Sequence, residues 1–374
     1  MVFMPLFKYE AVVAKCRCLY GKLLAASDYE NLLKCREISD IAVYLRDNTA
    51  YSEFLAELDL KKINRNKLEY YIKKSMLSDY LKLYKFTSGN QRRFISLLIA
   101  KYELEYILRV WRDYVLQNTE SAVDINEINE DEDYVFNEKL LEIQAIYQHN
   151  PRIDLDALKN ITTAEQFINA IRNTDYFYVF EKHINDDISK NYTRIETAVY
   201  DEYYKILYEG ADFFEKESRA KIRDSISTQA DLINLCRMSR MLFNFKADPE
   251  EIKELLVPLR NRLKNSDVEA LLSSHDRESF LMYCQENLYY GKKLSFHEYE
   301  SMTEYMNYFL YKYYKSKINL SSSGFDVIIR YFHVKEFELM NLFYLTEGIR
   351  YKMSPEHIRK YLFGLESPSE RGFA

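Results

Sequence analysis

Glycine and proline are nearly missing from this chain: 8 Gly and 6 Pro among 374 residues. Together they are about a third of the ~12% that ordinary proteins carry, so few turns can rely on a left-handed or pre-set backbone. Long helices joined by few loops are the architecture such a chain can build. No long alternating Val/Ile/Thr stretch offers a strand, and 34 Tyr with 22 Phe supply large side chains for packing helix on helix. An all-α fold is expected, and at ~100–200 residues per domain the length suits two or three domains.

Charge and processing signals narrow the partners. With 52 Lys+Arg against 58 Asp+Glu the net charge is −6, which disfavours phosphate backbones, so no nucleic acid is expected as partner. No apolar run approaches the ~18 residues of a membrane span. The opening Met1-Val2-Phe3-Met4-Pro5-Leu6-Phe7 has neither the basic start nor the apolar length of a secretory signal, so an unexported chain is expected. The five cysteines, Cys16, Cys18, Cys35, Cys236 and Cys284, are odd in number and scattered, which fits free thiols in a reducing compartment. Without export, the N-x-S/T matches at Asn160, Asn191 and Asn319 carry no glycosylation signal.

The chain repeats itself three times. Thr49-Ala50-Tyr51, Thr174-Asp175-Tyr176 and Asn287-Leu288-Tyr289 correspond, at offsets of 125 and 113. Further along, Leu68-Glu69, Ile195-Glu196 and Tyr299-Glu300 open long Tyr-rich stretches. A closing segment recurs as Glu103-Leu104-Glu105-Tyr106-Ile107-Leu108, Asp231-Leu232-Ile233-Asn234-Leu235-Cys236 and Glu338-Leu339-Met340-Asn341-Leu342-Phe343, at offsets of 128 and 107. Within it Leu104/Ile107/Leu108 and their copies occupy i, i+3, i+4 and form one apolar stripe of a helix. At ~100° per residue, Tyr106, Asn234 and Asn341 fall nearly opposite that stripe and are expected to face solvent, a neighbouring repeat or a partner.

Three helical repeats follow, spanning 1–122, 123–247 and 248–374, the second opening with the acidic linker 124–133. Each is expected to begin with an amphipathic helix: Val12/Cys16/Leu19/Leu23, Val135 to Gln148, and Glu250 to Arg262. Helix starts are legible at Ser27-Asp28-Tyr29-Glu30 and Thr163-Ala164-Glu165-Gln166, which read as capping boxes, and at Ser354-Pro355-Glu356, a Ser cap before Pro at the first helical position.

Reactive constellations are scarce. The histidines His149, His183, His275, His297, His333 and His357 never lie three to five residues apart, and His297-Glu298 has no second His to complete H-E-x-x-H. Cys16-Arg17-Cys18 would point its thiols to different sides of a helix. His275-Asp276 is the dipeptide of helical metal-dependent phosphohydrolases, without their further ligands. No Gly-rich phosphate loop or G-x-S-x-G elbow is present, so no nucleotide, cofactor, metal or catalytic residue is expected. Tyr311-Lys312-Tyr313-Tyr314-Lys315-Ser316-Lys317, with Arg92-Arg93 and Lys221/Arg223 near the equivalent places, reads as a solvated face or an anion-binding one.

The opening Tyr9-Glu10-Ala11-Val12-Val13-Ala14-Lys15-Cys16-Arg17, the pattern Ser27-Asp28-Tyr29-Glu30-Asn31-Leu32-Leu33 and the triple closing segment resemble the C subunit of prokaryotic V/A-type rotary ATPases (ATP synthases). It is the counterpart of the d subunit in eukaryotic vacuolar ATPases, and the similarity runs from Tyr9 to about Leu362. The resemblance implies three pseudo-threefold helical lobes forming a funnel with a central opening. It implies a non-catalytic coupler of ATP-driven ion transport or ion-driven ATP synthesis. The partners it implies are a central-shaft coiled coil with its small companion and a membrane proteolipid ring. It places one copy per complex, monomeric in isolation, on the cytoplasmic face of the membrane. Candidate partner-binding residues are the repeated polar set Glu103, Arg112, Asp231, Arg240, Glu338 and Arg350, for which salt bridging within the chain is the competing role. A helical scaffold for other proteins, or a phosphohydrolase built on His275 and Asp276, are the alternative readings.

Overall fold

The computed structural model describes residues 9–117, 152–159, 161–183, 188–317 and 324–365. Among these no strand occurs, and the fold is all-α. The first helices are α1 (Glu10–Tyr20), α2 (Ala26–Leu32), α3 (Ile38–Asn48), α4 (Ser52–Leu55), α5 (Arg65–Lys85) and α6 (Gly89–Gln117). Next come α7 (Leu155–Lys159), α8 (Ala164–Ala170), α9 (Phe177–His183), α10 (Ile188–Gly210), α11 (Lys216–Phe243) and α12 (Pro249–Glu254). The last are α13 (Asn265–Leu272), α14 (Arg277–Asn287), α15 (Tyr289–Lys293), α16 (Met302–Lys317), α17 (Asp326–Arg350) and α18 (Pro355–Arg359). The linker 124–133, the stretch Val135 to Gln148 and the boundary near 122 lie outside the described residues.

The helices gather into two bodies that are discontinuous in sequence. One comprises 1–88, 215–222 and 262–374; the other comprises 89–214 and 223–261. In the first body α17 is the centre, packed by α1, α3, α5, α16 and α18. Its aromatic residues lock into these neighbours: Phe332 stacks on Tyr80 at 3.5 Å between centroids, and Phe337 meets Tyr311 edge-on at 5.5 Å. Gly348 is required where α18 crosses, because a Cβ there would lie 2.5 Å from the side chain of Ile358. In the second body α6 lies along α10, and Trp111, 1% exposed, packs on Phe167 of α8 and Phe180 of α9 at 4.9 and 5.8 Å. Closing helices therefore pack on Tyr-rich helices of a different repeat, α6 of the first on α10 of the second, and α17 of the third on α5 of the first.

Local expectations are corrected in three places. The helix α2 starts two residues earlier than Ser27 suggests: Ala25 is its N-cap, and the Asp28 carboxylate accepts the Ala25 N–H at 2.7 Å. The stretch Glu250 to Arg262 is helical only to Glu254, and Leu23 lies beyond the end of α1. In the third repeat the buried tyrosine is Tyr290, 0% exposed, rather than Tyr289, so its register slips by one against Tyr51 and Tyr176. The caps at Thr163 and Ser354 form as expected, accepting from the N–H groups of Gln166 and His357 at 3.3 and 3.2 Å.

The ends of α11 and α17 share an unusual turn. Lys246 (φ 53°) and Lys352 (φ 54°) both adopt the left-handed conformation that glycine favours. At the second, the Met353 N–H reaches the Gly348 carbonyl at 2.9 Å and the Lys352 N–H the Ile349 carbonyl at 3.0 Å, the two bonds of a Schellman motif. At the first, the Ala247 N–H reaches one residue further back, to Met241 at 3.0 Å. This extra residue explains why the repeats lie 107 apart before the turn and 106 apart after it. A Cβ in this conformation costs roughly 1 kcal/mol, so Lys246→Gly and Lys352→Gly are each expected to stabilise by about that amount. Thermal unfolding of the two variants checks this; an unchanged or lowered midpoint contradicts it.

Candidate functional site

The repeated closing segment is where the sequence placed its polar candidates, and the structure divides them by type. Glu103, Asp231 and Glu338 are buried, at 2%, 0% and 4% exposure. Arg112, Arg240 and Arg350 are exposed and do not pair with those acids. Arg112 approaches Asp113 at 3.4 Å, and Arg350 approaches Glu347 at 3.7 Å while lying over the Tyr351 ring. The acids find other partners.

Glu338 has the fullest set. It accepts the Leu24 N–H at 2.5 Å, the Tyr51 hydroxyl at 2.9 Å and the Lys335 ammonium at 2.6 Å. Lys335 also donates to the Tyr51 oxygen at 3.0 Å, which closes a triangle of buried groups. Beside it the Tyr331 hydroxyl donates to Asp79 at 2.6 Å, and burial raises the Asp79 carboxyl above its ordinary value. Asp231 occupies the same place in the second repeat: both its oxygens accept the Asn261 N–H, at 3.1 and 3.2 Å. Leu24 and Asn261 lie just before α2 and α13, equivalent helices of the first and third repeats. Glu103 of the first repeat feels Arg152, just before α7 of the second, with Asp175 nearby. Glu338 and Asp231 thus hydrogen-bond to loops that precede other helices, while Glu103 is influenced by Arg152 through space.

The residues expected to face solvent, a neighbouring repeat or a partner are buried. Tyr106, Asn234 and Asn341 are 6%, 0% and 2% exposed. Most of the stripe opposite them is buried too, with Cys236 and Phe343 half-buried, because the closing helices are covered on several sides. Asn341 donates to the Phe363 carbonyl at 2.9 Å and accepts the Phe363 N–H at 2.8 Å. Asn234 does the same to Val257, at 3.1 and 2.8 Å. Each amide thereby brackets one backbone residue after the turn, as its donor and acceptor edges permit. Between turn and bracket stands a capped Pro helix in both copies, Asp248-Pro249 opening α12 and Ser354-Pro355 opening α18. Residues 249–257 are the counterpart of 355–363.

The remaining chemical candidates resolve into local contacts. Asp276 caps α14, accepting the Ser279 N–H at 2.7 Å, and these hydrogen bonds hold its carboxyl below the ordinary value; His275 beside it is exposed. Among the described residues no three His, Cys, Asp or Glu side chains gather as a metal would need, and none of the five cysteines forms a disulfide. Tyr311, Tyr313 and Tyr314 point into the core while Lys315 reaches the Tyr311 oxygen at 2.5 Å. Arg93 lies over Phe213, Lys221 pairs with Glu217 at 2.7 Å and Arg223 with Asp212 at 2.8 Å. Lys335 and Asp79 were not legible in the sequence, and Tyr51 only as a repeat marker, since only the third closing segment has a lysine three residues before its acid.

Removing an amide bracket exposes its importance. Asn341→Ala and Asn234→Ala each strip two hydrogen bonds and leave a buried backbone N–H and C=O unsatisfied, an expected loss of roughly 2–4 kcal/mol. Amide exchange at Phe363 or Val257 should quicken in the matching variant alone. Glu103 supplies a pH test. Burial, opposed by Arg152, raises its carboxyl from 4.5 to about 7. The folded state therefore holds a proton that the unfolded chain releases, so stability falls as pH rises from 4.5 to about 7 and levels off above, by roughly 3 kcal/mol in all. In Glu103→Gln this fall should vanish; parallel melting curves for the two proteins from pH 5 to 8 would contradict it.

Among the described residues no helix is long and apolar enough to cross a membrane. A family model described as the ATP synthase (C/AC39) subunit matches residues 12–361, nearly the full chain. The A-type ATP synthase C subunit of Methanosarcina mazei is 21% identical over 263 residues, covering 70% of this chain and 67% of its relative. The chain therefore belongs to the ATP synthase (C/AC39) subunit family, whose members are structural, non-catalytic subunits of V/A-type rotary ATPases.

Proposed function

We propose that this protein is the socket of the central stalk, joining a rotating coiled-coil shaft and its small companion to the membrane proteolipid ring. One copy serves each complex, monomeric when isolated, at the cytoplasmic face of the membrane. Its three repeats, 1–122, 123–247 and 248–374, form pseudo-threefold lobes around a central opening that receives the shaft. The exposed arginines Arg112, Arg240 and Arg350 serve partners, while Glu103, Asp231 and Glu338 hold the lobes to one another.

The observation that supports this reading is the pair of buried acid-to-loop hydrogen bonds, Glu338 to Leu24 and Asp231 to Asn261. A torque-bearing body must resist shear between its parts. Apolar contact alone is non-directional and lets surfaces slide, whereas a buried carboxylate that leaves its donor forfeits the full desolvation cost. Low glycine content and close-packed aromatic residues add stiffness.

Rotary complexes assembled with and without this chain test the role. Without it, ATP hydrolysis should persist while ATP-driven ion transport drops to background. Ion transport that survives removal of the chain would overturn the reading.

A further inference from the structure

A cavity of about 240 Å³ opens within the first body, between the connection from α1 to α2, the second half of α16, the middle of α17 and the chain beyond α18. An apolar cavity of roughly 150 Å³ admits benzene, so this one has room for a second fused ring. Its walls are aromatic. Phe337 meets Tyr311 edge-on at 5.5 Å and Phe363 at 4.8 Å between centroids, and the buried Tyr29 adds a further ring. Rings interlocked in this way hold the space open rather than folding into it. Gly364 is required at the rim: its φ is 89°, and a Cβ there would collide with the Tyr311 oxygen and come within 3.4 Å of the Lys315 nitrogen. The amide bracket does not by itself create the cavity, because Asn234 closes on Val257 in the same way where Ala230 and Pro258 stand in place of Phe337 and Gly364.

Two of the lining side chains are charged, and they differ in how that charge is met. Glu338 is fully engaged by the Leu24 N–H, the Tyr51 hydroxyl and Lys335, whose ammonium balances it within the wall. The Asn341 amide is likewise taken, by Phe363. Lys315 donates to the Tyr311 oxygen at 2.5 Å and lies over that ring at 5.0 Å, and among the described residues no carboxylate pairs with it. An ammonium balanced by no acid, lining a cavity with aromatic walls, selects an occupant with a flat apolar body and one negative group.

We infer that this cavity binds a small aromatic carboxylate, its rings among Phe337, Phe363 and Tyr29 and its carboxylate on the Lys315 ammonium. The occupant ties the α1–α2 connection and the chain beyond α18 to α17, so it stabilises the folded chain by mass action. The site is separate from the socket role and does not depend on it.

The experiment titrates the purified full-length chain calorimetrically with naphthoate and, in parallel, with its uncharged counterpart naphthylmethanol. Naphthoate is expected to bind at one site per chain, more than fivefold tighter than the alcohol, and to raise the melting midpoint. Lys315→Met should weaken naphthoate more than fivefold and leave the alcohol unchanged, while Lys315→Arg binds both as the parent does. Ala26→Trp, which puts a large side chain into the cavity from the exposed first turn of α2, should remove binding of both compounds with the helical circular dichroism of the parent retained. A parent chain that shows no saturable binding of naphthoate overturns the site. So does an alcohol that binds within fivefold of naphthoate, or naphthoate binding that survives Lys315→Met or Ala26→Trp undiminished.

Discussion

Three helices of this protein carry polar side chains into places where no water reaches, and the fold depends on how those groups are satisfied. Glu338 and Asp231 end on backbone N–H groups of loops far away in sequence, and Asn341 and Asn234 close on single backbone residues downstream. In each case the chain spends a buried donor or acceptor to fix an otherwise irregular segment. Leucine in place of Asn341 could fill the same space but would leave Phe363 with two unpaired backbone groups. The brackets are what allow segments with few prolines and glycines to turn tightly after a long helix.

The sequence disclosed the class of fold because it depends on local signals: helix-compatible composition, capping patterns such as Thr163-Ala164-Glu165-Gln166, and the i, i+3, i+4 stripe. It left the surroundings of Asn234 and Asn341 open between solvent, a neighbouring repeat and a partner for a physical reason. A helical wheel identifies faces but not how many of them are covered, and α17 has neighbours on most sides. The covering helices come from other repeats, so nothing within the closing segment signals them. The same non-locality hid Tyr51 and Lys335, whose partnership spans 284 residues. The slip from Tyr289 to Tyr290 was invisible because both positions hold tyrosine.

Acid and arginine in the repeated set part ways for an electrostatic reason. A carboxylate can be made comfortable indoors by a few backbone N–H groups or one cation, as Glu338 is, because it is compact and accepts from several directions. A guanidinium needs several acceptors placed in a plane around it, and near the ends of closing helices it finds better solvation in water and beside helix-end carbonyls. Spacing of nine or twelve residues between the two therefore does not signal a salt bridge. Glu103, the acid with the poorest complement of donors, is also the one whose proton affinity burial raises to near neutrality.

A chain whose closing segment recurs three times in the sequence faces a problem of registry that unrelated domains do not: each copy must meet its own loop. Apolar stripes such as Leu232/Leu235 and Leu339/Leu342 are nearly interchangeable and cannot discriminate among loops. The acids can. Glu338 requires Tyr51 and Lys335 as well as a loop N–H, while Asp231, shorter by one methylene, sits on Asn261 with both oxygens and has Arg260 nearby. Exchanging them would leave a buried carboxylate short of donors or held away from its loop, a penalty of roughly 1–3 kcal/mol or more for every wrong pairing. Hydrophobic burial drives the helices together, and the buried acids determine which helix meets which loop.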